Sequence, residues 1–167
     1  MLGASLGTVG EVRLILMCGL PGAGKTMLAE QLAVERRALR LTQDEWLVAL
    51  GSSPWDAATR DRVDQQLWCL AQDVLRLGVS VVLDFGLWAR VERDEMRAVA
   101  RGVGVGVELQ FLDVPIEELW RRIEERNSEP PWSSYPILRE HLEEWASIFQ
   151  APDADELALF DRPPTGH

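Results

Sequence analysis

The stretch Val12-Arg13-Leu14-Ile15-Leu16-Met17-Cys18-Gly19-Leu20-Pro21-Gly22-Ala23-Gly24-Lys25-Thr26 decides the fold. Val12 to Cys18 is apolar apart from Arg13 and has the length of a buried strand. From Lys25 to about Arg37 the spacing predicts a helix. Between them, Gly19 to Thr26 satisfies G-x-x-x-x-G-K-[ST] at every fixed position. Glycines at 19, 22 and 24 let the backbone turn its N–H groups inward without Cβ clashes. With the helix N-terminus behind them, those donors make an anion cradle the size of a phosphate. Lys25 then reaches the outer phosphates of a nucleotide, and the Thr26 hydroxyl is placed to ligate Mg2+. The candidate nucleotide-binding set is therefore Gly19, Gly22, Ala23, Gly24, Lys25 and Thr26, with a nucleotide's phosphates and Mg2+ as the implied ligands.

Composition sharpens that reading. Of 17 basic residues in the 167-residue chain, 16 are arginine, and the single lysine is Lys25, at the one position where the motif needs it. The net charge is −10. Between Asp113 and Asp161 there are 13 acids and 4 arginines, a balance of −9, so the rest of the chain is nearly neutral. A protein that grips nucleic acid carries a broad basic footprint, which this balance lacks. At 47% hydrophobic the chain can bury a core, and no apolar run approaches the ~18 residues of a membrane span. The first ten residues show no secretory pattern and are expected to be flexible. Cys18 and Cys69 are far apart and in no CxxC pattern, which fits a reducing, cytoplasmic setting.

Outward from the loop, apolar runs alternate with helical patterns. Strands are expected at 38–41, 79–85 and 105–114, with a further short one at 156–160. Helices are expected at 44–50, 56–77, 90–101, 115–126 and 137–149, and the proline-containing segment 127–136 reads as a loop or lid. This predicts one three-layer α/β domain with a parallel sheet of about five strands. Built at this length around the glycine loop, it resembles a P-loop NTPase fold of the nucleoside/nucleotide-kinase type.

The second half carries a more specific resemblance. Val81-Val82-Leu83-Asp84, the turn and helix with Arg90, Arg93 and Arg97, and the segment Asp113-Val114-Pro115 through Glu118-Leu119, Arg122 and Arg126 resemble the zeta-toxin/polynucleotide-kinase-like group. That group includes the 5′-kinase domain of polynucleotide kinases, chloramphenicol phosphotransferase and gluconate kinase. The likeness runs from about Arg13 to Asn127. One departure stands out: the polynucleotide kinases show D-x-T-N where this chain has Asp84-Phe85-Gly86-Leu87-Trp88.

The resemblance implies roles for particular residues. Asp44 would face the acceptor hydroxyl and take its proton, or it simply caps a short helix. Asp84, at the end of the best-defined strand, would hold Mg2+, orient substrate, or satisfy loop donors. Arg122 and Arg126, one helical turn apart, would be lid arginines on the transferred phosphoryl, or a solvated face paired with Glu118, Glu124 and Glu125. Arg90 and Arg93 would contribute substrate contacts. Trp46, Trp55 and Trp88 lie in or beside the loops where an acceptor should sit and could stack on it. Trp68, Trp120 and Trp145, mid-helix, read as core, and His141 as structural. The implied activity is ATP- and Mg2+-dependent phosphoryl transfer to a hydroxyl of a small molecule such as a sugar, nucleoside or antibiotic. The alternatives are a 5′-hydroxyl polynucleotide kinase and a nucleotide-binding regulator without acceptor chemistry.

Overall fold

The computed structural model describes residues 11–163. The expectation for the first ten residues lies outside this range. Strand β1 (Arg13–Cys18) is central and, after its first residue, fully buried, as its unbroken apolar run requires. It is flanked by β3 (Val81–Gly86) and β4 (Gly106–Phe111), and β2 (Leu39–Thr42) adds to β3. All pairings are parallel, in the order β2-β3-β1-β4.

Handedness then places the helices. The crossover from β1 to β2 runs through α1 (Lys25–Arg36), in one direction along the sheet. The crossovers through α2 (Gln43–Ala49), α3 (Ala57–Arg76) and α4 (Arg90–Gly102) run in the other. Right-handed connections of opposite direction must lie on opposite faces. Accordingly Ile15, Met17 and Val82 pack on Ala29 and Leu32 of α1. Leu14, Leu16, Val81 and Leu83 face Leu67, Ala71 and Leu75 of α3 and Ala100 of α4. A third cluster joins Ala23 of the glycine loop to Leu119 and Ile123 of α5 (Ile116–Asn127) and Leu142 of α6 (Arg139–Ile148). The chain reverses its direction of travel beside the carboxyl end of β1, and open α/β sheets bind ligands at such a point.

One expectation about the sheet is corrected: four strands form among the described residues, not five. Residues 156–160 do not make a strand. Asp153 accepts the Glu156 N–H at 2.7 Å and starts a short helix, α7 (Ala154–Leu157). That turn buries Glu156 against Arg93, and the chain meets the edge of β4 only at Asp161, whose N–H donates to the Val107 carbonyl at 2.7 Å. Within 127–136 a 3-10 turn at Trp132–Ser134 gives the loop local order. No helix of the described residues is long and apolar enough to cross a membrane.

Candidate active site

The glycine loop leaves β1 and is held in place from two sides. The Gly19 N–H donates to the Gly86 carbonyl at the end of β3 (3.0 Å). Gly22, at φ 83°, lies so close to α5 that a Cβ would stand 2.9 Å from the Leu119 carbonyl oxygen. Only glycine permits this close approach. Lys25 Nζ, partly buried within the loop, donates to the Leu20 carbonyl at 2.9 Å. Burial pulls its pKa down, while Asp84 and Asp44 support its charge.

Thr26 Oγ1 donates to Asp84 Oδ2 at 2.8 Å, which joins the loop to the tip of β3. Asp84 is buried, and burial raises its pKa against the opposing pull of the Thr26 hydrogen bond and the Lys25 charge. These are two hard oxygen donors at the mouth of a phosphate cradle. They fit Mg2+, which takes one or two protein oxygens and completes its shell with phosphate and water. Among the described residues no cluster of three or more His, Cys, Asp or Glu could enclose a metal alone.

Helix α5 contributes the arginines. Arg122 Nη1 reaches the Gly22 carbonyl at 3.3 Å, while its Nε donates to Glu118 at 2.7 Å. It therefore makes both the loop contact and the surface pair. Arg126 makes no ion pair among the described residues; Glu118 pairs with Arg121 and Arg122, and Glu125 with Arg121. Its guanidinium lies 4.0 Å over the Trp132 ring, and its buried Nε has no partner among the described residues. Burial lowers its pKa, and the Asp44 charge opposes that shift.

Asp44 does not cap its helix, because α2 starts from Thr42. Its Oδ1 instead accepts from Arg60 Nη2 at 3.0 Å. Arg60, on α3, also donates to Gln43 Oε1 at 2.8 Å and to the Pro54 carbonyl through Nε and Nη2. One turn further along α3, Asp64 faces the same cleft with Oδ1 buried and unpartnered among the described residues.

The loop, Asp44, Asp84, Arg122 and Arg126 line one cavity of about 1360 Å³. A single small ligand usually occupies a pocket of ~300–1,000 Å³, so there is room for two. Trp55 and Trp88 line it as well. So do Trp68 and Trp145, whose mid-helix positions read as core in the sequence, and Trp132 of the proline-rich loop. Trp55, His141, Trp145 and Trp88 form a continuous aromatic row, with successive ring centroids 4.8, 5.8 and 5.6 Å apart.

Three expected substrate contacts lie elsewhere. Trp46 is two residues beyond Asp44, about 200° round the helix. It sits over a separate apolar hollow with Leu50 and Val63. Arg93 is 0% exposed and directs its donors to Glu156 (2.6 and 2.9 Å) and to the Leu87 and Gln150 carbonyls (both 2.8 Å). It ties the C-terminal segment to the fold and cannot meet a substrate. Arg90 is exposed, outside the cavity lining, and pairs with Asp94 at 3.4 Å. Arg60, Asp64 and Trp132, to which the sequence alone gives no role, also line the cavity. The arginine and aspartate are charges one turn apart facing the cleft, a signal that is visible only once the cleft side of α3 is known.

A family model described as AAA domain (AAA_33) matches residues 14–152. No curated protein matches by sequence. The chain is similar to one in the Pnkp1/Rnl/Hen1 RNA repair complex, at 18% identity and a TM-score of 0.71, over 90% of this chain and 47% of that one. It thus spans about half the length of that protein. It is also similar to Kti12 of Chaetomium thermophilum in complex with ADP-AlF3 (22% identity, TM-score 0.64, 84% of this chain and 81% of that). A third likeness is to the Mycobacterium tuberculosis APS kinase CysC in complex with AMPPNP and APS (20% identity, TM-score 0.56, 93% and 85%). At these identities the likeness is one of fold, the P-loop kinase fold with its parallel sheet.

Proposed function

We propose that this chain, which belongs to the AAA_33 family of AAA domains, is an ATP- and Mg2+-dependent kinase that phosphorylates a hydroxyl of a small molecule, such as a sugar, nucleoside or antibiotic. The observation that carries this reading is the position of Asp44. It lines the same cavity as Lys25, Arg122 and Arg126 on the phosphate side, and its carboxylate is held at 3.0 Å by Arg60 of α3, the helix that also carries Asp64 into the cavity wall.

The division of labour follows from that placement. The backbone N–H groups of Gly22, Gly24, Lys25 and Thr26 and the Lys25 ammonium bind the phosphates of ATP, while the Gly19 and Ala23 N–H groups hold the loop in shape through the Gly86 and Leu20 carbonyls. Arg122 and Arg126 neutralise charge that builds on the γ-phosphoryl as it transfers. Trp132 under the Arg126 guanidinium keeps that group directed into the cleft. Asp44, held by Arg60, orients the acceptor hydroxyl and receives its proton as the new O–P bond forms and the bond to ADP breaks. Thr26 and Asp84 would hold Mg2+, which when bound draws charge from the phosphate oxygens.

The test is phosphoryl transfer from ATP to a panel of hydroxyl compounds, with Asp44→Asn beside wild type. Transfer should fall about 10²–10⁴-fold in the variant, with ATP affinity unchanged. The likeness to a chain of an RNA repair complex makes a 5′-hydroxyl oligonucleotide a necessary member of the panel. Labelling of its 5′ end faster than of any small molecule would replace this reading. ATP binding without transfer to any acceptor would favour a regulator instead.

A further inference from the structure

The acceptor half of the cavity has a chemical character of its own. Beyond Asp44 its wall is aromatic, with Trp55, Trp88 and Trp145 in one row. Its ionisable groups are carboxyls: Asp64 from α3, and Glu92 and Glu95 from α4, with one Glu92 oxygen accepting the Ala89 N–H at 3.0 Å. The one cation lining that side among the described residues, Arg60, is already engaged by Asp44, Gln43 and the Pro54 carbonyl. Asp64 has no such partner: its Oδ1 is buried with no hydrogen bond among the described residues.

Such a wall discriminates by charge. An anionic acceptor would meet like charges on two helices with no free guanidinium to offset them. A neutral polyol would leave the buried Asp64 oxygen unsatisfied unless it presented a donor there. An ammonium group satisfies that oxygen, is attracted to the facing glutamates, and can lie against the electron-rich ring faces. Resting on the kinase reading above, we propose that the acceptor is an amine-bearing polyhydroxyl compound, whose hydroxyl meets Asp44 while its ammonium group is held by Asp64 and the aromatic row.

The probes are polyols of graded charge: glucosamine and 2-deoxystreptamine as cations, glucose and N-acetylglucosamine as neutral counterparts, and open-chain gluconate as the anion. Binding is read from the fluorescence of the cleft tryptophans, and transfer from ADP release. The cations should bind about tenfold or more tightly than the neutral compounds, and gluconate most weakly. Asp64→Asn should erase the preference, with ATP affinity as the control for an intact site. Glu95→Gln, at an exposed position, provides a second variant and should reduce the preference in part. Equal binding across the series, stronger binding of gluconate, failure of both amines to bind, or a preference that survives both variants would overturn the proposal. Asp44-dependent phosphorylation of glucose in preference to both amines would end this inference while leaving the kinase reading intact. Loss of the kinase reading would show instead as absence of ATP binding, or as ATP binding with no transfer to any member of the panel.

Discussion

Arg60 Nη2 stands 3.0 Å from Asp44 Oδ1, and the same guanidinium holds Gln43 and the carbonyl of Pro54. The carboxylate proposed to receive the acceptor proton is thus fixed by a fork that bridges the start of α2, the loop before α3 and α3 itself. Arg60→Ala should lower kcat about 10–100-fold, the equivalent of one lost hydrogen bond to a charged group. ATP affinity should stay near wild type, because Arg60 lies on the acceptor side. Arg60→Lys should recover little, since an ammonium cannot reproduce the planar fork. Stopped-flow single-turnover transfer with a separate ATP titration checks this. A fall in ATP affinity equal to the fall in kcat would assign Arg60 to the fold of the cleft instead.

The contrast between Lys25 and Arg60 shows what was legible in the sequence. Lys25 belongs to a contiguous motif whose backbone geometry is local, so eight residues are enough to place it. The strands β1 and β3 are equally readable, because burial on both faces demands unbroken apolar runs. Arg60 and Asp64 are ordinary charges on an amphipathic helix, and their direction depends on how α3 settles against the sheet. Arg93 misleads for the same reason: an arginine near the start of a helix beside a site reads as a ligand contact. Its partner Glu156 lies 63 residues away in sequence. The same pairing turns the expected last strand into a helical turn. Trp145 reads as core because its helix is amphipathic, yet α6 lays that face along the cleft rim.

Removal of Lys25 tests the phosphate site directly. Its ammonium touches only the Leu20 carbonyl within the loop, so Lys25→Ala should leave the fold intact while ATP turnover is abolished. Wild type should gain about 2.7 kcal/mol of stability at ATP concentrations 100-fold above Kd, seen as a rise in Tm. The variant should show almost none of that rise. Full turnover by the folded variant would refute the assignment of the loop.

Arg93 and Glu156 form a salt bridge that is 0% and 2% exposed, between α4 and α7. Removing one member strands a buried charge, which costs about 3–5 kcal/mol. Glu156→Ala should therefore lower the urea midpoint sharply, because Arg93 is left without its carboxylate. Arg93→Met combined with Glu156→Leu should recover part of the loss, limited by the Leu87 and Gln150 carbonyls that Arg93 now satisfies. Denaturation monitored by circular dichroism decides this. A double variant no more stable than Glu156→Ala would mean that the two carbonyl contacts, not the ion pair, dominate.

Asp64 should leave a signature in the pH dependence of stability. Burial, reinforced by Asp61, Glu92 and Asp44 and opposed by Arg60, raises its pKa from 3.8 to about 7. Between those values the folded chain keeps a proton that the unfolded chain has released. Stability from this group is therefore fully present below about pH 4, declines as pH rises, and is lost above about pH 7. Partial exposure to solvent keeps the loss below the roughly 1.4 kcal/mol that each tenfold change in proton affinity carries for a fully buried group. Asp56, Glu117 and Glu118 have lowered pKa values and act in the opposite sense at acid pH, so the wild-type curve alone would blur the effect. The difference between Asp64→Asn and wild type isolates it. The Tm of the variant relative to wild type should climb from about pH 4 to about pH 7 and then level off, because only the wild type must ionise a buried carboxyl. A saturating amine should flatten that climb by giving the wild-type carboxylate its partner, whereas glucose should not. A difference that stays constant across the range would show that Asp64 is solvated as an ordinary surface acid and would remove it from the acceptor wall.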